Sequence, residues 1–517
     1  MALLQTAATA IATLGCLPLL LLFLRVRLHL FFNRQQPRTL AFLHPFCNDG
    51  GGGERVLWVA VRELLSLPNA AKRWRVIVYT GDAASDDEIR AHALSRFGVA
   101  VPPSVQFVRL RTRPAIEPKR YPVATLLFQA AGSLLLAAEA VCRHPPHILV
   151  DTTGLHFCLP LLRLLGVPSL ACYVHYPIIS SDMVGAVATR KAAHNNRGLV
   201  ANLAILSYLK LLYYHLLVLC YRFAGRTSDV TMANGTWTCN HLIALWKVQP
   251  SIVFPPCDTI QLQSLPIDPP PPSVEECGTV LQAASAALLP FSSSSAAAGG
   301  SSSGPRGRLI LSVAQFRPEK DQPLQLRAFA SLLTKWRAIG SPSPQPVLVM
   351  AGAVRHSDDQ ARLEELMVLS EELGLISSLA TEVSDLLRDV VEVIFAPNLK
   401  YGELIELLGH SAVGLHTMWN EHFGIGVVEM LAAGVATIAH NSGGPALDII
   451  TYGQTGLLAS SEDEYAECMA SLMLGPQAEV RRREMAVKGR GSVALRFSES
   501  SFAEGWVKAM GPLMEVE

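Results

Sequence analysis

Residues 420 to 429 read NEHFGIGVVE, so Glu421 and Glu429 bracket seven residues that are almost all apolar or glycine. The stretch follows a strand-like run, AVGLHTM (412 to 418), and opens into a helical pattern containing Val428, Glu429 and Leu431. In open α/β sheets, ligands bind beyond the carboxyl ends of strands. A helix N-terminus there offers free amides and a positive dipole end to an anion. Gly424 and Gly426 let a phosphate or sugar approach the backbone, with Phe423 and Ile425 beside them. Glu421 is expected in the loop at the mouth and Glu429 in or beside the helix on a neighbouring face. One carboxylate can then address a sugar while the other grips a second hydroxylated group such as a ribose. Taken alone, such a pair is better explained as a helix cap and a solvated helix residue.

The neighbourhood decides between those readings. SVAQFRPEKD (312 to 321) places Arg317 and Lys320 in a loop after another strand candidate, where two cations suit a diphosphate. HNSGGP (440 to 445), with Gly443, and GQTGLL (453 to 458) supply further glycine loops. Nearer the N-terminus, CNDGGGGER (47 to 55) places Gly52 and Gly53 at the start of a helical run. That run shows no clean G-x-G-x-x-G helix start. The acidic residue ending the next strand, Asp82, lies about 30 residues on rather than the ~20 of a dinucleotide fold, which argues against NAD.

The elements that must position these residues alternate strand and helix. Strands are expected at TLAFLHPF, RVIVYTG, VQFVRL, HILVDTT, SLACYVHYP, DVTMAN and SIVFPP. A second series runs RLILSVAQF, PVLVMAG, VEVIFAP, AVGLHTM and VATIAH. The pattern predicts an α/β protein of two doubly wound lobes. A length of 517 residues agrees, because single cores stop growing near ~250 to 300 residues. The boundaries read as an anchor at 1–33, a first lobe at 38–265, a Pro/Ser/Gly-rich linker or insertion at 266–306, a second lobe at 307–490 and a C-terminal helix at 491–517 that crosses back to the first lobe. The insertion carries IDPPPPSVEE and FSSSSAAAGGSSSGP, too polar and flexible to offset its ordering entropy.

Lysine plus arginine equals aspartate plus glutamate at 43 each, so no global field draws in nucleic acid. Ten cysteines are scattered without a C-x-x-C pair, as expected of buried hydrophobes in a reducing compartment. Ile11 to Leu24 is uncharged and leucine-rich, and the basic residues Arg25, Arg27, Arg34 and Arg38 follow it. That order favours an uncleaved anchor with the rest of the chain in the cytosol over a cleaved signal peptide. The apolar stretches 123–142 and 203–223 read as non-spanning helices, the second suited to a membrane interface.

Together, EHFGIGVVE, the Arg317/Lys320 loop, the glycine loop at 440–445 and GQTGLL resemble the retaining GT-B glycosyltransferases of the GT4 family across nearly the whole second lobe. FLHPFCNDGGGGERVLW, YVHYPIISSDM, QFRPEKD and NEHFGIGVVEMLAAG are similar to the GDP-mannose-dependent members that act on dolichol-diphosphate-linked oligosaccharide. The resemblance implies two Rossmann-like lobes facing a cleft, α-1,2 transfer of the fourth and fifth mannoses with retention, and an endoplasmic-reticulum membrane location with the lobes on the cytosolic face. It also allows a complex with other mannosyltransferases of the same pathway.

Carried onto this sequence, the resemblance puts Glu429 on the nucleotide ribose and Glu421 on the donor mannose. Arg317 and Lys320 hold the diphosphate, aided by amides near Gly424 and Ile425, and His175 in VHYP lines the acceptor side. Gln315 stands where many members carry arginine, so the division of charge between Arg317 and Lys320 is open. His156 competes with His175. No D-x-D stands beside the donor residues, so no metal is invoked. A nucleotide-sugar epimerase and a non-catalytic nucleotide-sugar-binding membrane protein are the alternatives. The sequon at Asn234 should stay unglycosylated in a cytosolic lobe.

Overall fold

The computed structural model describes residues 20–31, 37–179, 204–267, 309–340, 345–380 and 391–514. Most of the expected insertion, and residues 1–19 of the expected anchor, lie outside them. The chain divides into two compact units, one running to Pro256 and including Phe502 onward, the other from Cys257 to Ser501.

The first unit holds seven strands: β1 (Arg38–Leu43), β2 (Trp74–Thr80), β3 (Gln106–Arg109), β4 (Ile148–Asp151), β5 (Ser169–Val174), β6 (Val230–Ala233) and β7 (Ser251–Ile252). They pair in parallel in the order 3-2-1-4-5-6-7, a doubly wound sheet whose order reverses between β1 and β4. Strands such as RTLAFL and SLACYV are apolar on successive residues because helices cover both faces. On one face Phe42, Val78 and Tyr173 pack under the Gly52–Ser66 helix and under Phe502, Trp506 and Met510 of the C-terminal Glu499–Met514 helix. Phe42 and Trp506 stack with ring centroids 6.1 Å apart.

On the other face Leu43, Tyr79 and Leu170 meet Leu136, Ala140 and Val141 of the Thr125–Arg143 helix. They also meet Val26 and Leu30 of a helix at residues 20–31. That helix is therefore docked along the first unit. Arg25, one of the basic residues that follow the apolar run, donates to the Cys142 carbonyl at 2.8 Å. Arg27 packs against Gly166.

The second unit repeats the plan with β8 (Leu309–Val313), β9 (Val347–Gly352), β10 (Ser377–Leu379), β11 (Val393–Pro397), β12 (Val413–His416), β13 (Ala436–His440) and β14 (Gly456–Ala459). Their order is 10-11-9-8-12-13-14, again parallel, with the reversal between β8 and β12. The sequence reading missed β10, which is three residues long, and took GQTGLL for a loop, although its second half is β14.

The divisions between units fall at Cys257 and Phe502, against sequence boundaries after 265 and 490. Residues 257–265 stay with the second unit because Gln263 donates to the Arg490 carbonyl and the Arg490 guanidinium donates to the Leu265 carbonyl. Gly489 and Gly491 do not end a helix: the Ala478–Arg496 helix runs through them, and Gly489 lets Leu431 approach closely.

Candidate active site

In the second unit, the loops after β8, β12 and β13 meet at the point where strand order reverses, the place where doubly wound sheets bind ligands. The loop after β8 makes a short 3-10 turn, Pro318–Lys320. It enters the Gln322–Ile339 helix through Asp321, whose φ of 46° is left-handed. Thr417, the first residue after β12, fixes that loop: its hydroxyl lies within hydrogen-bond reach of the Lys320 carbonyl (2.7 Å) and the Asp321 carbonyl (3.1 Å), and it accepts from Gln325 Nε2 at 2.8 Å.

This latch brings Lys320 to Glu421. The ammonium donates to Glu421 Oε2 at 2.6 Å and sits 3.1 Å from Met418 Sδ. His416, which closes β12, donates from Nε2 to the same oxygen at 3.3 Å. Burial pushes the Glu421 carboxyl up, but the hydrogen bond from His416 and the charge of Lys320 more than offset it and hold the group well below the usual carboxylate range. Among the described residues no hydrogen bond reaches Glu421 Oε1, which leaves that oxygen for a hydroxyl.

Glycine loops press around this carboxylate. Gly424 adopts φ 103° at the cap of the Ile425–Ala432 helix, so the first amides of that helix are presented beside Glu421. Glu429 lies in the helix's second turn, half-buried. The loop after β13 stacks on the Glu421 backbone: the Gly444 amide donates to the Glu421 carbonyl at 2.7 Å. A Cβ on Gly443 would stand 2.3 Å from that same carbonyl oxygen. Ser442 Oγ accepts from the Asn420 amide at 2.8 Å and is bonded to His440 Nδ1. Phe423 is buried, its ring edge-on to Phe497 at 5.6 Å.

Arg317 lies apart from this pair. Its Nε is 3.6 Å from Asp359 Oδ1, so the structure brings Lys320, and not Arg317, to Glu421.

A second cluster occupies the carboxyl ends of β1, β4 and β5 in the first unit. Gly50, at φ 77°, turns the chain into the Gly52–Ser66 helix, and Glu54 reaches back to accept from the Gly51 amide. Glu54 also meets His44 Nε2 at 3.2 Å, while His44 Nδ1 and Thr152 Oγ1 are 2.8 Å apart. Burial pushes the Glu54 carboxyl up. The His44 bond and charge and two backbone amides outweigh it and leave the group below its ordinary value.

His175 donates from Nε2 to the Thr152 carbonyl at 3.2 Å and lies against Gly53, where a Cβ would come within 3.5 Å of its ring. Burial and the neighbouring His44 lower its pKa to about 4, so the imidazole is neutral at pH 7. The competing His156 is fully buried between Tyr221 and Trp246, with Asp151 Oδ2 3.8 Å away, as a core residue.

Sequence reasoning missed His416, Thr417 and His44. Each is the polar residue at or just beyond the end of an apolar strand, a signal present in GLHT and FLHP.

Two parallel seven-stranded units with polar clusters at their carboxyl ends define a GT-B glycosyltransferase. Sucrose-phosphate synthase from Thermosynechococcus elongatus has this fold (TM-score 0.60, 15% identity, 93% of this chain and 100% of that one). So does Anabaena Alr3699/HepE in complex with UDP and glucose (TM-score 0.57, 13% identity, 92% and 100%). Residues 37–246 match the family model described as ALG11 mannosyltransferase N-terminus, and residues 301–489 match glycosyl transferases group 1. The chain belongs to the family of GDP-Man:Man(3)GlcNAc(2)-PP-Dol alpha-1,2-mannosyltransferases. The human member is 40% identical over 490 residues, covering 93% of this chain and 88% of that protein. The Xenopus laevis member is 38% identical over 515 residues, covering 97% and 94%.

Proposed function

We propose that this protein moves mannose from GDP-mannose to a dolichol-diphosphate-linked oligosaccharide, adding the fourth and fifth mannoses in α-1,2 linkage with retention. The observation that carries the reading is the Lys320–Glu421 pair at the strand reversal of the second unit, in a chain of this family.

Transfer breaks the bond between mannose C1 and the β-phosphate oxygen and forms one from C1 to an acceptor oxygen. Negative charge grows on the departing GDP, and preorganised donors must meet it as it forms. Lys320, Arg317 and the amides at Gly424 and Ile425 supply them, and Gly443 keeps the backbone close. Glu421 addresses the mannose and Glu429 the ribose. With one carboxylate on the ribose, the double displacement of retaining hydrolases does not fit. The acceptor instead attacks from the face the phosphate leaves, and its proton passes to the departing phosphate oxygen. Gly52 and Gly53 are assigned to the donor and His175 to the acceptor side; with its one N–H given to the Thr152 carbonyl, the neutral His175 ring orients a hydroxyl by accepting from it at Nδ1. No metal is assigned to any step.

A lipid-linked acceptor requires a bilayer, and one side of the first unit suits that surface. Three helices cover the same sheet face and touch in sequence: Arg25 bonds the Cys142 carbonyl, and the Leu127 amide donates to Tyr213 Oη at 3.2 Å. Each exposes an apolar row: Leu20, Leu24, Leu28 and Phe31; Leu127, Phe128 and Leu135; Leu212, Leu216, Leu219 and Phe223. The Thr125–Arg143 helix is also long and apolar enough to cross a membrane, though a third of it is buried. We place this face on the cytosolic leaflet of the endoplasmic-reticulum membrane. Asn234 cannot report on that topology, because its side chain is buried and closed to a glycan on either side of the bilayer.

The test is purified protein in detergent with labelled GDP-mannose and a trimannosyl lipid-linked acceptor, followed by linkage analysis. Two α-1,2 mannoses are expected. Release of free mannose with no lipid-linked product would overturn the reading.

A further inference from the structure

His416 ends β12 with its side chain 7% exposed, and its Nε2 donates to the same oxygen of Glu421 that the Lys320 ammonium reaches. An ionised carboxylate only accepts, so the network assigns a proton to Nε2. Nδ1 is buried and has no hydrogen-bond partner among the described residues. The ring is therefore set to serve one neighbour only, Glu421.

Its mounting is rigid. The Tyr465 hydroxyl donates to the His416 carbonyl at 2.8 Å, and the backbone is in register with Ala439 of β13. Lys320 differs: its ammonium rides on a flexible four-carbon stem. On the reading above it serves a diphosphate as well as Glu421. An ammonium leaning toward a diphosphate slackens its hold on the carboxylate, and a buried carboxylate left without a donor is costly and free to turn.

We propose that His416 is a positioning residue for glycosyl transfer: it fixes the Glu421 carboxylate toward the sugar while Lys320 shifts its hydrogen bonds to the diphosphate. The inference rests on the proposed roles of Glu421 and Lys320. It divides the cluster into a fixed donor and a mobile one, and predicts that His416 affects turnover without touching the nucleotide.

The experiment uses full-length protein in detergent and compares wild type, His416→Ala, His416→Gln and Glu421→Ala. Readouts are kcat and KM for GDP-mannose, GDP affinity by calorimetry, and thermal unfolding. His416→Ala should lose about 10- to 100-fold in kcat, the size of one hydrogen bond to a charged group, with GDP affinity unchanged. His416→Gln, whose amide keeps a donor near that position, should recover most of the loss. Wild-type kcat in His416→Ala, no recovery in His416→Gln, or a parallel fall of kcat, GDP affinity and unfolding temperature would each overturn the proposal. If His416→Ala is silent while Glu421→Ala abolishes transfer, only this inference falls. If Glu421→Ala also turns over normally, the site reading itself falls.

Discussion

Lys320 Nζ and Glu421 Oε2 lie 2.6 Å apart although 101 positions separate them in the chain, and both side chains are largely buried. The pair joins the loop after β8 to the loop after β12. Replacing Lys320 with alanine removes a donor for the leaving diphosphate and leaves the buried Glu421 carboxylate to His416 without its cation. The expected loss is about 10²- to 10³-fold in kcat, the usual cost of one preorganised donor, read with GDP-mannose and lipid-linked acceptor. Turnover within a few-fold of wild type would remove Lys320 from the donor site.

Glu429 gives a separable outcome. A carboxylate on the ribose contributes to holding the nucleotide before and during reaction, so Glu429→Ala should weaken GDP itself. About 1.5 to 3 kcal/mol is expected for hydrogen bonds to a charged group, measured by calorimetry. Unchanged GDP affinity would place the ribose elsewhere.

Much of this cluster was legible because it is local in sequence. Glycines at 424 and 443, the paired glutamates and the basic loop are each visible in a run of ten residues or fewer. What stayed hidden depends on register between distant strands. Nothing in GLHT says that His416, rather than its neighbour, turns toward Glu421; only the pairing of β12 with β8 and β13 fixes that face. Arg317 and Lys320 looked equivalent in QFRPEK, and their separate partners, Asp359 and Glu421, arise from a single 3-10 turn. The docking of residues 20–31 was likewise invisible, because its buried residues Val26 and Leu30 are apolar like the exposed Leu24, Leu28 and Phe31 beside them.

Gly443 tests the backbone rather than a side chain. Its φ of 60° is left-handed, and a Cβ there would overlap the Glu421 carbonyl. Gly443→Ala should cost at least about 1 to 2 kcal/mol for the backbone alone and should lower transfer by displacing Glu421. Thermal unfolding and kcat are the measurements, and a neutral result in both would contradict the stacking of the two loops.

His175 predicts a pH effect on stability. Its pKa falls from 6.5 in the unfolded chain to about 4 in the fold. Below pH 6.5 the unfolded chain takes up a proton that the folded one refuses, so stability falls as the pH drops from 6.5 toward 4. His175→Asn should lose less unfolding temperature between pH 7 and pH 5 than wild type does. Equal losses would mean that the imidazole is not held neutral.

The apolar rows of the first unit predict membrane binding that point changes can weaken. Leu216→Asp with Leu219→Asp places two charges on an exposed row without touching the buried Tyr214, Leu217 and Tyr221. Co-sedimentation with liposomes should fall while unfolding temperature stays the same. Undiminished binding would mean that another surface faces the lipid.

The Thr417 hydroxyl, which reaches the Lys320 and Asp321 carbonyls while held by Gln325, has a mechanical meaning. It bolts the basic loop to the strand that carries the acidic one, so the two travel as a single plate. Loosening that bolt, as in Thr417→Val, would let cation and carboxylate drift independently, and affinity for GDP would fall together with the rate of sugar transfer.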